Sequence, residues 1–230
     1  MLAVLKKEFK SYLLSPIGYI FIGLFLLMFS IFFFITIFGY SAVNFEYLFY
    51  NGATILTFLV PVLTMRMFSE ERRNGTEQLL LTSPRSITSI VLGKFCAAAL
   101  IMLITEICTL MYFGILKYFG EPSLTVAISA LSGFFLLSLA YISFGMFASS
   151  ITENQIIACV VTIGAFIAMW FVPLMDIPFS GALSQFSVIN MFNSFPEGKF
   201  SITEIITFVT FTLLFIIFTI MVLQRRKSVK

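Results

Sequence analysis

Residues 17–38 read IGYIFIGLFLLMFSIFFFITIF, a run of 22 residues without one charged side chain. At 1.5 Å per residue such a run crosses the roughly 30 Å hydrocarbon core of a bilayer. Lipid offers the backbone no hydrogen bonds, so the segment must close them internally, as a helix. The run exceeds the ~7–15-residue apolar core of a cleaved leader. Ser41-Ala42 beyond it is a poor cleavage site, so an uncleaved membrane helix is expected. Five more stretches read the same way: Tyr47–Met65, Phe95–Leu116, Ser123–Ser150, Asn154–Met175 and Ile205–Leu223. The expectation is one all-α polytopic membrane domain over residues 1–230 with six transmembrane helices. The alternating ten-residue strands of a membrane barrel are absent from the sequence.

Composition agrees. The chain is 60% hydrophobic and only 11% charged, far from the ~45–50% apolar and ~25% charged of a soluble domain. The absence of His removes imidazole bases, metal ligands and the usual switch near neutral pH. Cys96, Cys108 and Cys159 lie in apolar runs with no CxxC pairing, which makes them packing residues rather than a metal site or disulfides. With no clustered acids either, the chain is not expected to be an enzyme. A net charge of +3 is too small to argue for nucleic acid.

The placement of that charge is more telling. Lys6, Lys7 and Lys10 precede span one; Arg66, Arg72, Arg73, Arg85 and Lys94 separate spans two and three; Arg225, Arg226, Lys227 and Lys230 follow span six. Twelve of the 14 basic residues thus share one side, leaving Lys117 and Lys199 for the other. The positive-inside rule makes that side cytoplasmic, with both termini on it.

Leu2, Leu5, Phe9, Tyr12 and Leu13 fall on one arc of a helix. Residues 1–15 should therefore form an amphipathic elbow lying at the inner interface. Ser15-Pro16 is a helix-start signal and should break the elbow from span one.

Between spans two and three runs Arg66-Met-Phe-Ser-Glu-Glu-Arg-Arg-Asn-Gly-Thr-Glu-Gln-Leu-Leu-Leu-Thr-Ser-Pro-Arg-Ser86. Span two is expected to continue as a charged helix through Glu70, Glu71, Arg72 and Arg73. Asn74-Gly75 supplies a left-handed stop. Thr76 can cap a new short helix with Glu77 in its first turn, where the helix dipole favours an anion. That helix carries Leu79, Leu80 and Leu81. Ser83-Pro84 should start the helix leading into span three. A bare loop needs no leucine triplet. The short helix could fit a groove on a cytoplasmic partner, lie on lipid headgroups, or pack on its own bundle.

The run FSEERRNGTEQLLLTSPRS, residues 68–86, resembles the cytoplasmic loop of the ABC-2 type permeases, the membrane subunits of ATP-binding-cassette exporters. SPIGYIFIGLFLL at the start of span one, and Leu183–Phe208 before the last span, resemble the gliding-motility branch of that family. The resemblance implies an elbow helix, six spans, a coupling helix within residues 70–86, and short re-entrant outer helices before span six. It also implies a second permease subunit, identical or not, and two ATPase subunits beneath the pair in a bacterial cytoplasmic membrane. An accessory membrane protein is compatible with it. The coupling residues would be Glu70, Glu71, Arg72, Gly75, Thr76, Glu77, Leu79, Leu80 and Pro84. ATP and magnesium would be bound by the partner: there is no G-x-x-x-x-G-K-[ST] here, and Gly93-Lys94 is followed by Phe95, which lacks a hydroxyl for the metal.

Three features stand outside that loop. Glu106 is the one acid deep in a span, about 18 Å along the helix from Lys94. An intramembrane carboxyl is a functional candidate, facing a path or a partner, or else a protonated group bonded to a neighbouring helix. Residues 149–155 form a polar turn between spans four and five. Asp176–Thr203, with Pro173 just before it, is too apolar for a free loop, and re-entrant outer helices are expected there. Two other functions compete with an exporter. One is an anchor for an ATP-driven complex doing mechanical or signalling work. The other is an ATP-independent transporter, for which only Glu106 supplies a midplane ionisable site.

Overall fold

A computed structural model describes residues 1–40, 45–82, 85–119, 123–171, 192–199 and 201–228, with the side chains of 37–40, 45–47, 80, 81 and 119 left out. Among the described residues the chain is helical throughout, without strands. The helices are α1 (Leu2–Leu14), α2 (Pro16–Tyr40), α3 (Phe45–Thr64), α4 (Ser69–Arg73), α5 (Glu77–Leu81), α6 (Ile87–Phe119), α7 (Leu124–Ile151), α8 (Gln155–Phe171) and α9 (Ile202–Ser228). Five stretches are long and apolar enough to cross a membrane: Pro16–Thr36, Leu48–Arg73, Ile87–Tyr118, Leu124–Ile151 and Ile202–Ser228. The fifth expected span is the exception. Its helix α8 has 17 residues, about 26 Å, and the remaining residues 172–175 lie outside the described ones.

The first break falls at Ser15. Its extended backbone, φ −88° and ψ 150°, ends α1, and Pro16 opens α2. Two residues on, a Cβ at Gly18 would stand 2.4 Å from the Tyr12 carbonyl oxygen, so only glycine lets α2 leave so close to α1. Of the expected apolar arc, Phe9, Tyr12 and Leu13 pack on the core and are joined by Val4, whereas Leu2 stays 80% exposed. Glu8 forms an ion pair with Lys94 of α6.

The chain after span two departs from expectation. No single charged helix runs through Arg73; α3 ends at Thr64, residues 65–68 form a turn, and α4 follows. A neighbouring hydroxyl stabilises the break. Ser149 of α7 donates to the Met65 carbonyl at 3.0 Å and accepts the Phe68 and Ser69 amides at 3.1 and 3.2 Å. A helix leads into span three as expected, and α6 begins at Ile87, capped by the Ser86 hydroxyl accepting the Ser89 amide at 3.3 Å. The proposed Ser83-Pro84 start lies outside the described residues.

Within the bundle α7 is central, packing on α3, α6, α8 and α9. Its buried face is rich in small residues, including Ala127, Gly133, Ala140, Gly145 and Ala148, which let backbones approach where lipid supplies no hydrophobic drive. A Cβ at Gly145 would sit 2.2 Å from the Thr64 hydroxyl of α3. Phe25 and Phe29 of α2, Phe49 of α3 and Phe134 of α7 form one buried cluster, with successive ring centroids 5.2–5.8 Å apart. Buried hydroxyls return to their own helices, as Thr105 to the Ile101 carbonyl and Thr162 to that of Ala158.

Of the expected re-entrant outer segment, residues 172–191 and 200 lie outside the described ones. Residue 192 is helical and residues 193–198 form a turn. Phe192 and Phe195 are fully buried, and Phe195 occupies the space that a side chain at Gly133 would need. Tyr50 donates to the Asn193 carbonyl at 2.8 Å.

Candidate functional site

Charged side chains gather at the end of the bundle where α1, α4, α5, the start of α6 and the end of α9 meet. Three ionic groups can be followed there. Arg66, in the turn before α4, makes a bidentate contact with Glu70 at 2.8 and 2.6 Å. Both side chains are about one-third exposed, so this pair contributes little stability.

The second group is enclosed. Lys94 is 3% exposed. Its ammonium lies 2.8 Å from Glu71 and 3.3 Å from Glu8, and 5.3 Å from the centre of the Phe68 ring. Two acids from α1 and α4 thus hold one base on α6. Close helix packing brings them together: a Cβ at Gly93 would stand 2.9 Å from Val4. Nearby, Tyr12 donates to the Leu63 carbonyl at 3.4 Å. Burial pushes its phenol well above the ordinary tyrosine range, keeping it a neutral donor.

The third group surrounds α5. Glu77 lies 3.0 Å from Arg226 of α9 and 3.7 Å from Arg72 of α4. Arg72 also donates to the Ile151 carbonyl at 2.7 Å and pairs with Glu153. Arg226 reaches the same carbonyl at 3.3 Å.

Between α4 and α5 the chain turns on Gly75, at φ +70°, a left-handed conformation that glycine adopts without strain. Thr76 does not cap α5 as expected. Its backbone is already helical, at φ −83° and ψ −5°, so its hydroxyl points back and donates to the Glu71 carbonyl at 3.2 Å. Leu79 is 74% exposed and so is not packed on its own bundle. Leu80 lies in α5 with its side chain outside the described residues, and Pro84 lies outside them altogether.

Glu70, Glu71, Arg72, Gly75, Thr76, Glu77 and Leu79 therefore come together on one arm. Glu106 does not join them. It is 7% exposed on the buried face of α6, and its Oε1 has no hydrogen-bond partner among the described residues. No group of His, Cys, Asp and Glu among the described residues could hold a metal.

A family model described as ABC-2 family transporter protein matches residues 2–228. The chain belongs to the ABC-2 transporter family. No curated protein matches it. Permeases of this family work in a membrane with ABC ATPase partners. The ABC-2 assignment and the long apolar helices agree on a multi-pass membrane protein, a transporter subunit that is not itself the catalyst.

Sequence reasoning missed Glu8, Ser149 and the Arg226–Glu77 pair. For Glu8 a signal was present: it is the one acid in the first 45 residues, and Lys94 is the one base between Arg85 and Lys117. The role of Ser149 had none, because a serine near a helix end is equally a surface residue.

Proposed function

We propose that this chain is the permease subunit of an ABC exporter and that α5 is its coupling helix. The observation that carries the reading is Leu79, an exposed leucine on a short helix tied to the bundle by ion pairs. Such a helix offers an apolar anchor with a charged rim to a protein groove. Glu70, Glu71 and Arg72 hold the arm at the inner edge, Gly75 and Thr76 turn it, and Glu77, Leu79 and Leu80 meet the ATPase, with Pro84 ending the segment. ATP binding and magnesium belong to that separate ATPase, present in two copies.

In this reading six helices span the membrane, α8 included, and α1 is the interfacial elbow. The clustering of basic residues supports a cytoplasmic placement of both termini in a bacterial inner membrane. Closely packed buried phenylalanines between α2, α3 and α7 favour a path between two permease subunits rather than through one. Nucleotide-driven closure of the ATPases pushes on residues 76–84 and swings α3 and α6 so that the path opens outward. The likeness of residues 183–208 to the gliding-motility branch favours that subtype.

The test is a double substitution, Leu79→Asp with Leu80→Asp. Loss of copurifying ATPase and of ATP-driven transport is expected. Unchanged assembly and transport would refute the coupling role.

A further inference from the structure

The arm that carries α5 is bonded to more than the two helices that flank it in sequence. Glu77 takes Arg226 at 3.0 Å and Arg72 at 3.7 Å. Both guanidinium groups also donate to the carbonyl of Ile151, the last residue of α7. Two residues earlier on α7, Ser149 holds the turn that leads into α4. The inner ends of α7 and α9 are therefore both fastened to the arm. These two helices pack on each other more extensively than any other pair in the described chain. Glu77 and Arg72 are only 15% exposed and Arg226 24%, and each of these bonds is charge-assisted. Arg72, Glu77 and Arg226 themselves line an open cleft of about 670 Å³, together with Glu153, Val222 and Arg225, which leaves room for the arm to move if the pair opened.

We infer that Arg226 is a positioning residue that makes α5 move as one body with α7 and α9. A push on the coupling helix then reaches the last helix directly, as well as α3 and α6. This rests on the permease reading above. Arg226 touches neither nucleotide nor ATPase in this scheme; it acts through Glu77.

The test uses the permease–ATPase complex in proteoliposomes, in a cysteine-free background, with spin labels read by pulsed electron resonance. An inner pair, Gln78→Cys with Lys227→Cys, reports α5 against α9. An outer pair, Lys117→Cys with Ile202→Cys, reports α6 against α9. With Arg226 present, trapping with ATP and vanadate should leave the inner distance unchanged and shift the outer one. R226Q should let the inner distance change and reduce the outer shift by at least half, and R226K should restore both. An inner distance that changes with Arg226 present overturns the relay, as does R226Q behaving like the unsubstituted chain. Should R226Q fail to assemble, the inner-pair measurement with Arg226 decides alone. An outer pair that never responds to nucleotide overturns the permease reading, and the relay with it.

Discussion

Lys94 is the residue on which the inner end of the bundle turns. Its ammonium is almost fully enclosed and answers two carboxylates, Glu8 and Glu71. Removing one partner from a buried ionic group leaves uncompensated charge and costs about 3–5 kcal/mol. Lys94→Met should therefore destabilise the protein by about that amount, read as a lower midpoint in detergent thermal unfolding. Adding Glu8→Leu and Glu71→Leu should recover most of the loss, because no charge is then left unpaired. A K94M midpoint equal to that of the parent would show the triad to be ornamental. Ser149 makes a quieter contribution. Ser149→Ala takes the acceptor from two backbone amides at a buried turn, and about 1–3 kcal/mol of stability should go with it. Glu8 and Lys94 stand out in the sequence as isolated charges, but their pairing, like the role of Ser149, needs the fold. Lys94 falls in the helix expected to lead into span three, but periodicity does not say which acids face it, and a hydroxyl's partners 80 residues away leave no trace in periodicity.

At the scale of elements, local chemistry was a good guide wherever a break has a backbone cause. Ser15-Pro16 ends one helix and starts another because proline accepts the first helical position and serine adopts extended backbone. Gly75 ends α4 because its φ of +70° is open to glycine. Gly75→Ala should strain that turn by about 1–2 kcal/mol, and Gly75→Asn by less. Both effects are measurable as loss of ATPase copurification, graded Ala worse than Asn; equal recovery from all three chains would show that the turn does not set the pose of α5. Breaks with a tertiary cause were illegible. The turn at 65–68 follows no glycine and depends on Ser149 from another helix. The apolar run alone begins at Phe95, eight residues after α6 begins at Ile87, and Ser83-Pro84 is the signal for a helix already under way before it. Gly145→Val tests the packing that positions this turn. With Thr64 2.2 Å from the added Cβ, α3 and α7 must separate, and the variant should lose stability by about 1–3 kcal/mol.

For the whole molecule, apolar length and the distribution of Lys and Arg carry the architecture, because a bilayer imposes both. The long helices appear where the uncharged runs are, and the basic residues converge at one end through contacts such as Glu77–Arg226 and Glu71–Lys94. What the runs cannot encode is which helices move together, and here the arm turns out to be fastened to α7 and α9. The central claim is that Leu79 sits on the cytoplasmic side and is covered by an ATPase. Labelling Leu79→Cys with a membrane-impermeant maleimide, in a chain lacking the other three cysteines, tests it most directly. The account predicts reaction in inside-out vesicles stripped of the ATPase, none in intact cells, and strong protection once the ATPase is restored. Labelling from outside intact cells, or equal labelling with and without the ATPase, would contradict it.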